Sequence, residues 1–294
     1  MNSNLFNVLQ LIFGLCVMSS SGVLGRYIHL PPPVTIWLRS IIAAVALFVI
    51  LKMLRKSTFI GWGKHFRIVF FSSLLLAAHW ITYFTALQLS TVAIAMLSMF
   101  TYPIMTAFLE PLLLKTRFDK MTVLLSIIAV IGVFFLTPDL NLDNSITQGV
   151  FLGLLSGLLY GLRNILLKKN INEHSGITLM YYQMIIITIL LIPVFYIYDI
   201  DFSQQVYQDE WEALLILGIA TTSIGHTLFV VSFKHFTVTT VSILSCLTPL
   251  LGTFLGFLIL DEVPKGQTFV AGALILLTAG FESYRSVQPR KKNI

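Results

Sequence analysis

The chain has 294 residues, 56% of them hydrophobic and only 11% charged, with a mean hydropathy of +0.87 and a formal net charge of +6. A soluble domain carries roughly 45–50% apolar and about 25% charged residues, so a cytosolic enzyme and a disordered chain are excluded as leading readings. The basic residues stand in short islands and form no stripe on one face, which removes a nucleic-acid binder as well.

A helix rising about 1.5 Å per residue needs about 20 apolar residues to cross a hydrocarbon core about 30 Å thick. Ten runs meet this: Leu5 to Ile28, Pro33 to Leu54, His65 to Leu87, Thr91 to Leu114, Lys120 to Thr137, Gln148 to Leu167, Gly176 to Tyr198, Trp211 to Phe233, Val238 to Leu260, and Gly266 to Tyr284. Short breaks carrying Pro, Gly or charge separate them, such as Pro31-Pro32-Pro33 and the acidic stretch from Asp199 to Glu212. A spanning element must satisfy its own backbone hydrogen bonds, and runs of this length without strict alternation choose helix over barrel. The first run lacks a basic n-region and continues as apolar sequence past Ser19-Ser20-Ser21-Gly22, so it is expected to be a span and not a cleaved leader. Cys16 and Cys246 lie inside apolar runs and are expected as two free thiols.

Cytoplasmic loops retain lysine and arginine. With both termini inside, fifteen of the 19 basic residues fall on the cytoplasmic side and only Arg26 and Lys265 on the outer side, leaving Arg39 and Arg163 within spans. The acids show the reverse bias, with Asp139, Asp143, Asp199, Asp201, Asp209, Glu210, Glu212, Asp261 and Glu262 outside. The expected location is the inner (plasma) membrane, multi-pass, with both termini cytoplasmic.

Sliding the fourth run onto the ninth so that Pro103 meets Pro249 also brings Thr91-Val92 onto Thr237-Val238 and Phe108-Leu109 onto Phe254-Leu255. Gly14 and Gly22 of the first run match Gly153 and Gly161 of the sixth at the same separation. Five spans are thus followed by five more, with a division expected between residues 1–140 and 141–294. An odd number of spans per repeat makes the second copy enter the membrane from the opposite side, an arrangement that recurs in secondary transporters.

The sequence resembles the drug/metabolite transporter superfamily, specifically proteins with two tandem EamA-like domains. The resemblance rests on the ten-span pattern, on Arg39 near the start of the second span, and on the fourth-span segment Ala86-Leu87-Gln88-Leu89-Ser90-Thr91-Val92-Ala93 leading to Pro103. It rests also on Thr237-Val238-Thr239-Thr240-Val241 leading to Pro249, and on Leu260-Asp261-Glu262 before the tenth span. It implies a carrier of small metabolites, often an exporter, with no ATP hydrolysis and cytoplasmic termini. The first repeat ends in Leu114-Lys115-Thr116 and lacks the acidic pair, so a role for an acidic residue there carries over to the second repeat only.

Ionisable groups inside spans cost at least about 2.5–3.5 kcal/mol each at the centre on insertion scales. Arg39, roughly 9 Å from the outer end of its span, and His79, at a comparable depth, are candidate substrate contacts, as is His226 in the eighth span. Glu110 and Arg163 lie at about the same depth from the cytoplasmic side, 7–8 Å, and are expected to face one another as a gate or coupling pair. Trp80, Tyr83, Tyr160 and Tyr182 are candidate cavity walls, with Gln183 beside them. Pro103 and Pro249, at mid-span, remove a ladder hydrogen bond and are read as cavity-lining or hinge positions. Gly153, Gly157 and Gly161 form one ridge of the sixth helix, which Gly252 and Gly256 repeat in the ninth.

No phosphate-binding Gly-x-x-x-x-Gly-Lys-Ser/Thr, no Cys-x-x-Cys and no His-Glu-x-x-His occurs, and loops are too short for a catalytic domain. The reading is an all-α integral membrane protein of ten transmembrane helices in two inverted-topology five-helix repeats. It carries a small organic metabolite, an amino acid or related solute, by alternating access. The cavity is expected between spans one, three, four, six, eight and nine. Neither catalytic nor metal-binding residues nor a cofactor are expected; the partners are the solute and the lipid bilayer, without ATP or nucleic acid, and the chain acts as a monomer or homodimer. A membrane-embedded enzyme and a channel or lipid-handling protein remain the alternatives.

Overall fold

A computed structural model of the chain describes residues 3–61, 63–114, 120–136, 141–168, 171, 173–203, 210–236, 241 and 244–287. The first three spans are single helices, α1 (Ser3–Tyr27), α2 (Pro32–Met53) and α3 (Lys64–Leu89). The fourth is split into α4 (Val92–Met99) and α5 (Tyr102–Leu114), and the fifth is α6 (Lys120–Leu136). In the second half, α7 (Ser145–Lys168) is the sixth span, and α8 (Gly176–Leu190) with α9 (Val194–Ile197) the seventh. The eighth is α10 (Trp211–Ile216), a π-helical stretch (Leu217–His226) and α11 (Thr227–Ser232). The ninth ends in α12 (Leu247–Leu260) and the tenth is α13 (Gly266–Val287).

Sequence chemistry sets the ends and breaks. Pro32 and Pro33 open α2, where a missing N–H costs nothing. Thr91 caps α4 by accepting from the Ile94 N–H at 3.3 Å. Between α4 and α5 the ladder yields before Pro103, and the Ser98 carbonyl accepts both the Thr101 N–H at 3.4 Å and the Thr101 hydroxyl at 2.8 Å. Pro103 and Pro249 consequently stand in the first turns of α5 and α12. Their expected place in a helix interior is corrected, because the helix restarts around the ring instead of bending over it.

The packing respects an exchange of the two halves. Span three lies along span six and span eight along span one; span two meets span eight and span seven meets span three. Span four crosses span six, span nine crosses span one, and spans two and seven, like spans five and ten, pair with their own counterparts. Every one of these pairs maps onto another, or itself, when the halves swap. The fold is therefore an all-α membrane bundle of ten spans in two inverted five-helix repeats. Cys16 and Cys246 form no disulfide among the described residues.

Candidate functional site

Spans one, three, four, six, eight and nine enclose a central cavity, lined by Leu15, Met18 and Ser21 from α1, His79, Trp80 and Tyr83 from α3, and Tyr160 from α7. Met96, Met99, Phe100 and Tyr102 line it from the fourth span, His226 and Phe229 from the eighth, and Ser245 and Thr248 from the ninth. The shift that superimposes Pro103 on Pro249 carries Trp80, Tyr83, Met99 and Tyr102 onto His226, Phe229, Ser245 and Thr248, and all eight face the cavity. Each half thus supplies its walls from equivalent positions. Its free central volume is about 40 Å³, space for a few waters at most.

His79 is fixed by α7: its Nδ1 lies 3.0 Å from the Ser156 carbonyl oxygen and 2.7 Å from Ser156 Oγ, while that hydroxyl reaches the His79 carbonyl at 3.1 Å. Its ring stacks on Tyr160 at 4.5 Å and runs parallel to Tyr83 at 6.2 Å. Trp80 meets the His226 ring edge-on at 5.3 Å. The buried hydroxyls of Tyr83 and Thr248 have no hydrogen-bond partner among the described residues, so the cavity offers polar atoms to a solute that its described side chains do not use.

Behind Trp80 stands Arg39, fully buried. Its guanidinium lies 4.1 Å from the Trp80 ring centroid and 5.5 Å from that of Phe84, within cation–π range. Arg39 donates from Nε to Thr222 Oγ1 at 2.6 Å and from Nη2 to Thr221 Oγ1 at 3.3 Å. Both threonines belong to the π-helical stretch, where the Thr222 and Ser223 hydroxyls donate to carbonyls five residues back, Leu217 and Gly218. A π-turn inside a helix is rare and frequent at functional sites.

Arg163 is held mainly by amides. It is fully buried and donates to Asn164 Oδ1 at 3.0 Å, Gln183 Oε1 at 2.5 Å and the Met180 sulfur at 3.2 Å. Gln183 passes the chain on to Ser72 Oγ at 2.9 Å. Matching depth suggested Glu110 as partner, but depth leaves the direction around the helix open; the Glu110 side chain lies outside the described residues. Gln183 is therefore spent on Arg163 and stands outside the cavity wall. Tyr182 is half-buried, packs its ring against Tyr181 at 6.0 Å and also lies outside it. Pro103 and Pro249 are replaced in the wall by their neighbours Tyr102 and Thr248, and Pro249 lies in a lipid-side apolar groove with Phe254 and Phe257.

Polar contacts tie the spans together at both ends of the bundle. At the first, Arg26 Nε meets Glu262 Oε1 at 3.3 Å and Arg26 Nη1 donates to the Gln88 carbonyl at 2.9 Å. Glu262 Oε2 accepts the Val92 N–H at 2.7 Å, capping α4 across the repeat boundary, where a carboxylate also suits the helix dipole. Nearby, Glu210 Oε1 takes the His29 backbone N–H at 2.7 Å and lies 2.9 Å from its Nδ1. At the opposite end, Lys168 Nζ donates to the Phe233 and Phe236 carbonyls. Sequence reasoning missed this lock and the Arg39 acceptors; the Thr221-Thr222-Ser223 run in an apolar span was the available signal.

Glu262→Gln keeps the shape and removes the charge from the lock. Since a partly exposed pair contributes up to about 1 kcal/mol, a severalfold faster reaction of an introduced Thr248→Cys with a membrane-impermeant maleimide is expected, in a background lacking Cys16 and Cys246. An unchanged labelling rate counts against the lock. On the other end, His65 Nε2 lies 3.0 Å from Glu173 Oε2, and its ring is 5.1 Å from that of His174. Burial first, then the neighbouring His65, hold the His174 imidazole below its ordinary value of 6.5, with Glu173 opposing. The unfolded chain then binds the extra proton, so stability is lost as pH falls through 6.5 and recovered above it. A melting temperature that drops on acidification to about pH 5, less so in His174→Gln, is the expected result.

Among known proteins, the EamA-like transporter family model matches residues 5–137 and again 147–281. The chain is 27% identical over 196 residues to an uncharacterized transporter of Archaeoglobus fulgidus, covering 66% of this chain and 68% of that one. It is 22% identical over 201 residues to the pseudopaline exporter CntI of Pseudomonas aeruginosa, covering 68% and 69%. A solved crystal structure superimposes with a TM-score of 0.71 at 17% identity, covering 96% of this chain and 99% of the other, a likeness of fold. With two matched domains that span most of its length and lie on the two halves of the bundle, the chain belongs to the EamA-like transporter family and is a multi-pass membrane transporter.

Proposed function

We propose that the protein is a secondary carrier that moves a small organic metabolite, an amino acid or related solute, out of the cell by alternating access. The observation that carries the reading is the enclosed central cavity whose walls come from equivalent positions of both repeats. A free volume of about 40 Å³ holds no such solute, so loading requires the halves to part. The Arg26–Glu262 lock and the Lys168 contacts are the two seams along which they part. Near-equivalent packings give the two states comparable energies, the condition for exchange between them.

In this reading the repeats divide between residues 140 and 141, the termini are cytoplasmic, and the Arg26–Glu262 end faces outward, in keeping with the distribution of basic residues. The exporter name of the Pseudomonas relative supports the direction. His79, Trp80, Tyr83, Tyr160 and His226 touch solute, while Arg39 and Arg163 stand one layer behind. The test is purified protein in liposomes, offered pooled amino acids and related metabolites with and without a pH gradient. Saturable uptake with counterflow is expected. Non-saturating flux would indicate a channel, and turnover of a lipid without net transport an enzyme.

A further inference from the structure

Among the described residues, Arg39 and Arg163 are the two charged side chains at zero exposure, and neither has a described acidic partner. Their acceptors are threonine hydroxyls, amide oxygens and a thioether sulfur, all neutral. Among the described side chains the carboxylates stand at helix ends or in connections, and those in ion pairs, Glu173, Glu210 and Glu262, pair at the rims. Each arginine also keeps a buried nitrogen without a partner among the described residues, Arg39 Nη1 and Arg163 Nε. A positive charge in a low-dielectric interior acts strongly on whatever enters beside it.

The two stand at different heights beside the cavity. Helix α3 provides the ruler: Ser72, reached through Gln183, marks the level of Arg163, whereas Trp80 and Phe84 mark that of Arg39. Eight to twelve residues of helix separate these levels by about 12–18 Å, and His79, Trp80 and Tyr83 of that interval face the cavity. We infer that the solute carried is a small organic acid of net negative charge with an aromatic or apolar body, drawn into the cavity by Arg39 and Arg163. This rests on the carrier reading above and narrows its cargo from amino acids and related solutes to an organic acid without the ammonium group.

The walls fit that cargo. Trp80, Tyr160 and Phe229 with Met96 and Met99 surround the body, which disfavours a bare inorganic anion. The hydroxyls of Tyr83 and Thr248, unpartnered among the described residues, are donors for a carboxylate. An ammonium group finds no described carboxylate in the wall and meets two like charges behind it. A cation is therefore repelled, and a zwitterion is left with an uncompensated end.

The test uses three solutes of one skeleton, 3-phenyllactate, phenylalanine and phenylalaninol, which differ in net charge, with sodium chloride as the inorganic arm. Binding is read as a shift in melting temperature of the purified protein and transport as counterflow in liposomes. Stabilisation and counterflow by phenyllactate, at least tenfold better than by phenylalanine and with none by phenylalaninol, are expected. Arg39→Gln and Arg163→Gln each weaken the phenyllactate response at least tenfold, while Lys265→Gln, in an exposed connection, leaves it unchanged. If the arginine variants do not fold, the charge order in the wild-type protein decides alone. Phenyllactate binding without counterflow sinks the carrier reading and leaves the charge inference standing. Counterflow of phenylalaninol, of any other cation or of a neutral solute from the pool, or equal stabilisation by chloride, overturns the inference alone; no binding and no counterflow by any solute overturns both.

Discussion

Gly157→Val is expected to leave little folded protein in the membrane. A Cβ at position 157 falls 2.6 Å from the Met99 carbonyl oxygen and 3.4 Å from its carbon, so the obstacle is backbone and no rotamer relieves it. Overpacking of a fitted interface costs typically 1–3 kcal/mol even where side chains can yield, a large share of a stability of about 5–15 kcal/mol. Here α7 must instead move off the junction of α4 and α5, which carries the cavity residues Met99 and Tyr102. Gly157→Ala acts in the same direction with a smaller loss. Gly252→Ala is milder still, because what it meets first is the flexible Met96 thioether. Gly280→Ala, in open space, is the neutral control. Monodisperse yield and melting temperature measure the series, and a Gly157→Val protein as stable as the Gly280 variant refutes the packing account.

Arg39→Leu is expected to abolish exchange. Hydrogen bonds to a charged group contribute about 1.5–3 kcal/mol each, and a desolvated cation–π contact about 2 kcal/mol. Losing the set corresponds to at least about a hundredfold in any step that uses it. Arg39→Lys retains the charge but not the planar fork that serves two hydroxyls at once, so it restores part of the rate. Thr222→Val, which removes the 2.6 Å bond, should cost more than Thr221→Val, which removes the one at 3.3 Å. Counterflow per reconstituted protein, alongside melting temperature, separates lost function from lost fold. A wild-type rate in Arg39→Leu would remove this residue from the mechanism.

Hydropathy sufficed to show that the chain crosses a bilayer in ten spans, because the length of an apolar run is fixed by bilayer thickness alone. The repeat was legible through Pro103 and Pro249, whose backbone consequences are local. What those prolines do was only half legible: a ring that stops one helix also opens the next, and the latter was realised at both sites. Partners were the hidden part. Arg39 is bonded to residues 182 and 183 positions away, and depth along a helix gives height without azimuth. For that reason Arg163 was read against Glu110 by depth alone, and its bonds to Asn164 and Gln183 were not foreseen. The tyrosine pair 181–182 shows the same limit, since Tyr182 is turned out of the wall that Tyr160 enters.

The winding of the eighth span sets a limit on sequence change. Between Leu217 and His226 the ladder is π-helical, closing over five residues where an α-helix closes over four. A surplus of that kind is a slack that chain length can take up. Shortening this stretch by a single residue allows an ordinary helix with both flanks kept in register, so such a deletion should still insert and fold. What it forfeits is the alignment of two successive threonines on one guanidinium. A gap that would wreck any other span here converts a matter of survival into a matter of transport alone.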